Sequence, residues 1–166
     1  MRRRLLRAAA VVLLVAAVWG VLRLFPGPEE RVRRRLLAFA EAVSFAGEES
    51  TVRQLAYVGG LEGFFTPDVE VRVQVGRRGG GRIAGRAELR EAAGAARLRL
   101  RGLKVEFFDI VVSAAPDRST AQAHLTSKIQ IAGDNDYFVQ EFRLDLVRGE
   151  QNWQVRRLET VETMEP

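Results

Sequence analysis

The chain is predicted to be an α+β protein: a curved antiparallel sheet with about three helices on one face, preceded by one N-terminal membrane helix. Three observations carry that prediction. Residues 8–22 hold no charge, and four arginines precede them. Apolar residues then recur with a helical period from Val32 to Val43. From Val69 onward the period drops to two, and turn residues interrupt the alternation at regular intervals.

The N-terminal segment bears on where the rest of the chain works. Ala8 and Leu22 bound the uncharged run, which includes Leu13 and, near its distal end, Trp19. As a helix, residues 5–25 would span about 30 Å, the thickness of a bilayer's hydrocarbon core. Arg7 and Arg23 would snorkel to the two interfaces, and an indole at the position of Trp19 suits the interface. No Ala-x-Ala follows the apolar run, and Val18-Trp19-Gly20 makes a poor cleavage site. The segment therefore reads as a retained signal anchor, with export after cleavage as the alternative. Four basic residues lie before it and five shortly after (Arg23, Arg31, Arg33, Arg34, Arg35), so the positive-inside count is indecisive. A very short tail with three consecutive arginines usually stays in the cytoplasm. That places the domain outside, on a single-pass protein of the cell (inner) membrane.

Charge and cysteine content narrow the class further. Residues 1–28 carry five arginines and no acid, and the whole chain has 26 basic and 21 acidic residues for a net +5. Residues 29–166 are therefore neutral, and the pI near 10.6 belongs to the anchor. A nucleic-acid module would keep its surplus on the folded part, so nucleic acid is not an expected partner. There is no cysteine, hence no disulfide and no lipoprotein attachment site. With a single histidine, His124, and no cysteine, a zinc cluster is not expected either.

The chain divides into the anchor (residues 1–25), a Pro26-Gly27-Pro28 linker (26–28) and one domain (29–166). Val32, Leu36, Phe39 and Val43 define a first amphipathic helix, opened by Pro28 and closed at Gly47. A second, short helix starts at Ser50 and ends at Gly59-Gly60, with one further turn over 61–65. Val69, Val71, Val73 and Val75 alternate with polar residues as a half-buried strand. Residues 76–81 form a glycine-rich turn, and 82–85 the return strand. Residues 86–98 form a third helix with Leu89, Ala92, Ala93 and Ala96 on one side. Strands over about 99–114, 119–131, 137–148 and 152–161 follow, separated by Pro116-Asp117, by residues 133–136 and by Gly149-Glu150. Arg97, Arg99 and Arg101 read as an alternating basic stripe that guards an edge strand.

This order resembles the nuclear transport factor 2-like (SnoaL-like) superfamily over about residues 29–162. The matching stretches are Phe64-Phe65-Thr66-Pro67-Asp68-Val69-Glu70-Val71, Ile83-Ala84-Gly85-Arg86-Ala87-Glu88-Leu89, Phe107-Phe108-Asp109-Ile110-Val111-Val112 and Trp153-Gln154-Val155. The resemblance implies a cone-shaped fold whose sheet and helices enclose a cavity. It also implies enzymes to test against. Steroid isomerases of this type place a general base five residues beyond the acid that follows the second helix, which here is Val73, counted from Asp68. Their oxyanion donor is a tyrosine of the first helix, where this chain offers Phe39 and Phe45. Epoxide hydrolases of this type use an Arg-x-Asp pair and a second Asp. Arg143-Leu144-Asp145, with Glu159, is superficially similar. Its neighbours Phe138, Phe142 and Leu146 share the apolar face with Leu144, so Arg143 and Asp145 read as a surface ion pair.

Among other polar residues, His124 falls on the polar face of its strand, with Thr120, Gln122, Thr126 and Lys128. Asp109 has two possible placements. Strict alternation puts it on the face of Phe107 and Val111, where burial would raise its pKa and make it a weak catalytic candidate. A strand bulge would turn it outward. Tyr57 and Tyr137 are candidate cavity or rim residues. No cofactor is expected: residues 76–81 lack the Gly-Lys-Ser/Thr ending of a P-loop. Arg31, Arg33, Arg34 and Arg35 lie next to the anchor, where phospholipid headgroups are their natural counterpart.

Two functions follow as expectations. The first is a membrane-anchored, non-enzymatic module that binds a ligand or assembles with a protein partner, or with a second copy through its sheet face. The second is a small SnoaL-like lyase, isomerase or hydrolase acting on an apolar small molecule. With Asp109 the one candidate for a buried acid, the first is favoured and the chain is not expected to be an enzyme.

Overall fold

A computed structural model describes residues 26–46, 57, 59–74, 80–134 and 136–161. Ala8, Leu13, Trp19 and Leu22, expected to form a membrane anchor, lie outside that set, as do Ser50, Val75 and Asn135. Among the described residues no helix is long and apolar enough to cross a membrane. The elements are helix α1 (Pro28–Val43), strand β1 (Phe45–Ala46), β2 (Phe65–Gln74), β3 (Gly80–Ala84), helix α2 (Gly85–Arg99), β4 (Gly102–Ala114), β5 (Thr120–Ile131), β6 (Tyr137–Arg148) and β7 (Trp153–Thr160). A short helical stretch also covers 59–62, so Gly59 and Gly60 lie within a helix that continues past them.

The seven strands form one sheet in the order β1-β4-β5-β6-β7-β2-β3. The meander from β4 to β7 is antiparallel throughout, as its tight turns require. The expectation of a wholly antiparallel sheet fails at one place, because β2 runs parallel to β7. The cause is α2. It takes the return leg between β3 and β4, so β4 sets off in the direction of β3 and the meander ends with β7 beside β2 in the same sense.

α1 starts at Pro28, whose missing N–H costs nothing in a first turn, and buries Val32, Leu36, Phe39 and Ala40 against the sheet. It ends four residues before Gly47. Ser44 is already extended, and its hydroxyl donates to the Ala40 carbonyl at 2.7 Å and accepts from the Val105 amide at 2.9 Å. That bond ties the helix end to β4 and sends Phe45 into β1. Phe45 is therefore a strand residue and not a member of the first helix.

α2 reaches Arg99, so Arg97 and Arg99 belong to a helix and do not guard a strand edge. Its inward stripe is Leu89, Ala93 and Arg97, at i, i+4 and i+8, whereas Ala96 is exposed. Arg97 is buried, with its guanidinium 3.7 Å from the centre of the Phe45 ring and 5.3 Å from that of Tyr57. A flat, delocalised cation stacks on aromatic faces, which an ammonium group does less well. β4 starts at Gly102, where a Cβ would come 2.9 Å from that of Ala132.

Candidate functional site

Among the described residues, aromatic side chains pack between α1 and the sheet. The Phe39 ring lies 5.4 Å from that of Phe64, 5.2 Å from Phe65 and 6.0 Å from Phe107. Leu36, Leu144, Leu146 and Trp153 complete this layer. The two positions that isomerase chemistry would need are thus a phenyl ring at the centre of the core (Phe39) and a half-buried valine (Val73). Ser127 is almost fully buried on the inner face of β5, and its hydroxyl has no hydrogen-bond partner among the described residues.

Of the two placements open to Asp109, the structure takes the bulge. Phe108 pairs with Thr126 and Val111 with His124, so Asp109 and Ile110 together oppose Leu125. Asp109 has φ 52°, a left-handed conformation that Asp tolerates better than most residues. The extra residue reverses the alternation: Phe107 points inward before it, and Ile110 and Val112 after it. Val111 consequently turns outward, 66% exposed, and Asp109 is exposed as well. A shallow hollow of about 310 Å3 brings Asp109 together with His124, Thr126 and Glu141 on the outer face. Tyr57 is half-buried. Its hydroxyl donates to the Val43 carbonyl at 2.8 Å, and burial raises its pKa against the opposing effect of Arg97. Tyr137 is exposed on the outer face, with the Lys128 ammonium 4.4 Å from its ring centre.

The outer face carries the molecule's most developed polar arrangement. Glu70 lies 3.2 Å from Arg72, 3.3 Å from Arg82 and 3.8 Å from Arg157. Glu159 lies 2.7 Å from Arg143, 3.6 Å from Arg72 and 3.9 Å from Arg157. The Arg143 hydrogen bond, reinforced by the other guanidiniums, holds the Glu159 carboxyl below the usual glutamate range. The partner of Arg143 is therefore Glu159, while Asp145 accepts from the Gln122 amide at 3.1 Å. Beside this network runs an open groove of about 680 Å3, lined by Asp68, Glu70, Gln122, Asp145, Arg156 and Arg157 among others. The network's members on β2 and β6 were visible in the sequence as polar residues alternating with apolar ones, with Glu159 as a candidate companion of Arg143. That it joins β2 to β7 was not, because the register between them is non-local. Farther along the same face, Phe108, Val111, Tyr137 and Val139 are exposed.

No known family profile matches the chain, and neither does any curated protein. Solved structures do match. One is a nuclear transport factor 2-like protein of unknown function from Pseudomonas putida, with TM-score 0.62 and 14% identity over 82% of this chain and 87% of that one. Another, from Novosphingobium aromaticivorans, is a nuclear transport factor 2-like protein with a cystatin-like fold, with TM-score 0.61 and 17% identity over 92% and 90% of the two chains. A candidate scytalone dehydratase from the same organism matches with TM-score 0.60 and 14% identity over 81% and 83%. At these identities the likeness shows the fold, which is the nuclear transport factor 2-like one, and not a shared activity.

Proposed function

We propose that the chain is a membrane-tethered binding and assembly module, held at the cell membrane by residues 1–25 and meeting a second copy of itself through the outer face of its sheet. The observation that carries this reading is the composition of that face. Guanidiniums and carboxylates alternate across β2, β6 and β7, and exposed Val111 and Val139 lie beyond them. A two-fold interface must be complementary to itself, and a patch with both charge signs beside an apolar end meets that condition. The aromatic side chains that pack between α1 and the sheet among the described residues support the same reading. The test is the mass of the full-length chain in mild detergent, measured by light scattering across a dilution series. A dimer is expected, and Val111→Arg combined with Val139→Arg should return it to monomer. A wild-type monomer at every concentration sinks the self-assembly reading.

A second reading, a small lyase, isomerase or hydrolase, draws on the hollow that Asp109 and His124 share. It requires Asp109→Asn to abolish turnover of an apolar substrate while leaving the fold intact.

A further inference from the structure

We propose that the pole of the domain next to Pro26 seats anionic phospholipid headgroups, through Arg31, Arg34 and Arg148. The inference rests on the reading of residues 1–25 as a membrane anchor, which would bring this pole to the bilayer surface. α1 begins two residues after Pro26, so Arg31 and Arg34 stand on its first two turns. Arg148 reaches the same place from the end of β6. With Pro26 they line a hollow of about 360 Å3. Arg35 also lines it, its guanidinium donating to the carbonyls of Gly63 at 2.6 Å and Trp153 at 3.3 Å.

The charge balance sets this pole apart from the outer face of the sheet. There, Glu70 and Glu159 each sit among several guanidiniums. Here, four arginines line the hollow with one carboxylate, Glu150, while Glu30 pairs with Arg34 at 2.8 Å and Glu29 stands beside them in the first turn of α1. Arg31 donates to the Pro26 carbonyl at 3.0 Å, and Arg35 binds two carbonyls, so both are held in place without an ion pair among the described residues. Arginine forks bind phosphate oxygens in pairs, and a phosphodiester brings a full negative charge with such oxygens. The occupant that fits the charge and the position is a lipid headgroup in the bilayer that the anchor enters.

The absence of cysteine makes the test direct, because Ala38→Cys gives a unique labelling position at the hollow. The labelled full chain is reconstituted into vesicles of phosphatidylcholine alone, or of phosphatidylcholine with phosphatidylglycerol, each carrying a headgroup quencher. Quenching should be stronger with phosphatidylglycerol. Neutralising Arg31, Arg34 and Arg148 to Gln should lower the ratio of docked to free domain about five-fold per arginine. Arg99→Gln with Arg101→Gln, two exposed arginines at and just past the end of α2 and outside the hollow, should leave quenching unchanged. Equal quenching in the two vesicle types, or a triple variant that quenches like wild type, overturns the proposal. So does an emission shift that inorganic phosphate produces in phosphatidylcholine vesicles without quenching, which would assign the hollow to a free anion. Failure of the anchor reads out separately, as a chain that carbonate strips from phosphatidylcholine vesicles. In that case phosphatidylglycerol-dependent flotation of the wild type, lost in the triple variant, still supports the headgroup site, and its absence refutes it.

Discussion

Asp109 shows how one residue redirects a strand. Left-handed backbone costs an ordinary L-residue about 1–2 kcal/mol because Cβ crowds the following carbonyl, and more for a β-branched one. Asp meets the cost partly through its short polar side chain, and glycine avoids it. Asp109→Val should therefore destabilise the domain by about 1–2 kcal/mol, whereas Asp109→Gly should hold or raise its stability. The midpoints of urea unfolding of the two variants decide the matter. Equal losses in both would mean that the side chain, and not the backbone angle, is what the fold requires there. The bulge itself was half legible in the sequence. Phe107, Phe108, Ile110, Val111 and Val112 are all apolar, so either parity could have faced the core, and Asp109 was the single break in the pattern.

At the scale of the element, local signals served well at helix starts and hairpin turns and poorly at helix ends. Pro28 marked the start of α1, because its ring presets the helical φ. The end was hidden because the residue that satisfies Ser44 is Val105, 61 positions away. Arg97 was hidden for a different reason. An arginine on a helix is read as solvated, and only the placement of Phe45 and Tyr57 by two other segments makes a site for its flat cation. Ser44→Ala tests the join between α1 and β4. Removing the hydroxyl leaves the Val105 amide without its acceptor, at a cost of about 1–2 kcal/mol. Amide exchange at Val105 should accelerate in the variant while exchange within the β5–β6 pair stays unchanged. Undiminished protection at Val105 would show that another acceptor takes over and that the join is not carried by this side chain.

Across the whole molecule, the meander was legible because each of its turns is short and local, and the β2–β7 pairing was not, because nothing in either strand names a partner so distant in sequence. The candidate site divides the same way: each outward charge could be seen, but not the network that unites them. The orientation of the proposed anchor belongs to this scale too. The basic residues on the two sides of residues 8–22 nearly balance, four before and five after. On the distal side, however, Arg31, Arg34 and Arg35 gather with Arg148 around one hollow of the folded domain. Arg31, Arg34 and Arg35 lie within about 15–20 residues of the segment's end and so enter the count, which leaves the decision to the very short N-terminal tail with its three consecutive arginines. Arg2, Arg3, Arg4 and Arg7 should then dominate and keep the N-terminus inside. An alkaline phosphatase fused after Pro166 should be active, and a green fluorescent protein at the same position, exported through the same general pathway, should be dark. The opposite pair of results would place the domain in the cytoplasm, with Arg31, Arg34 and Arg148 facing the inner leaflet. A secreted product that begins near Val21 would show instead that the apolar segment is cleaved.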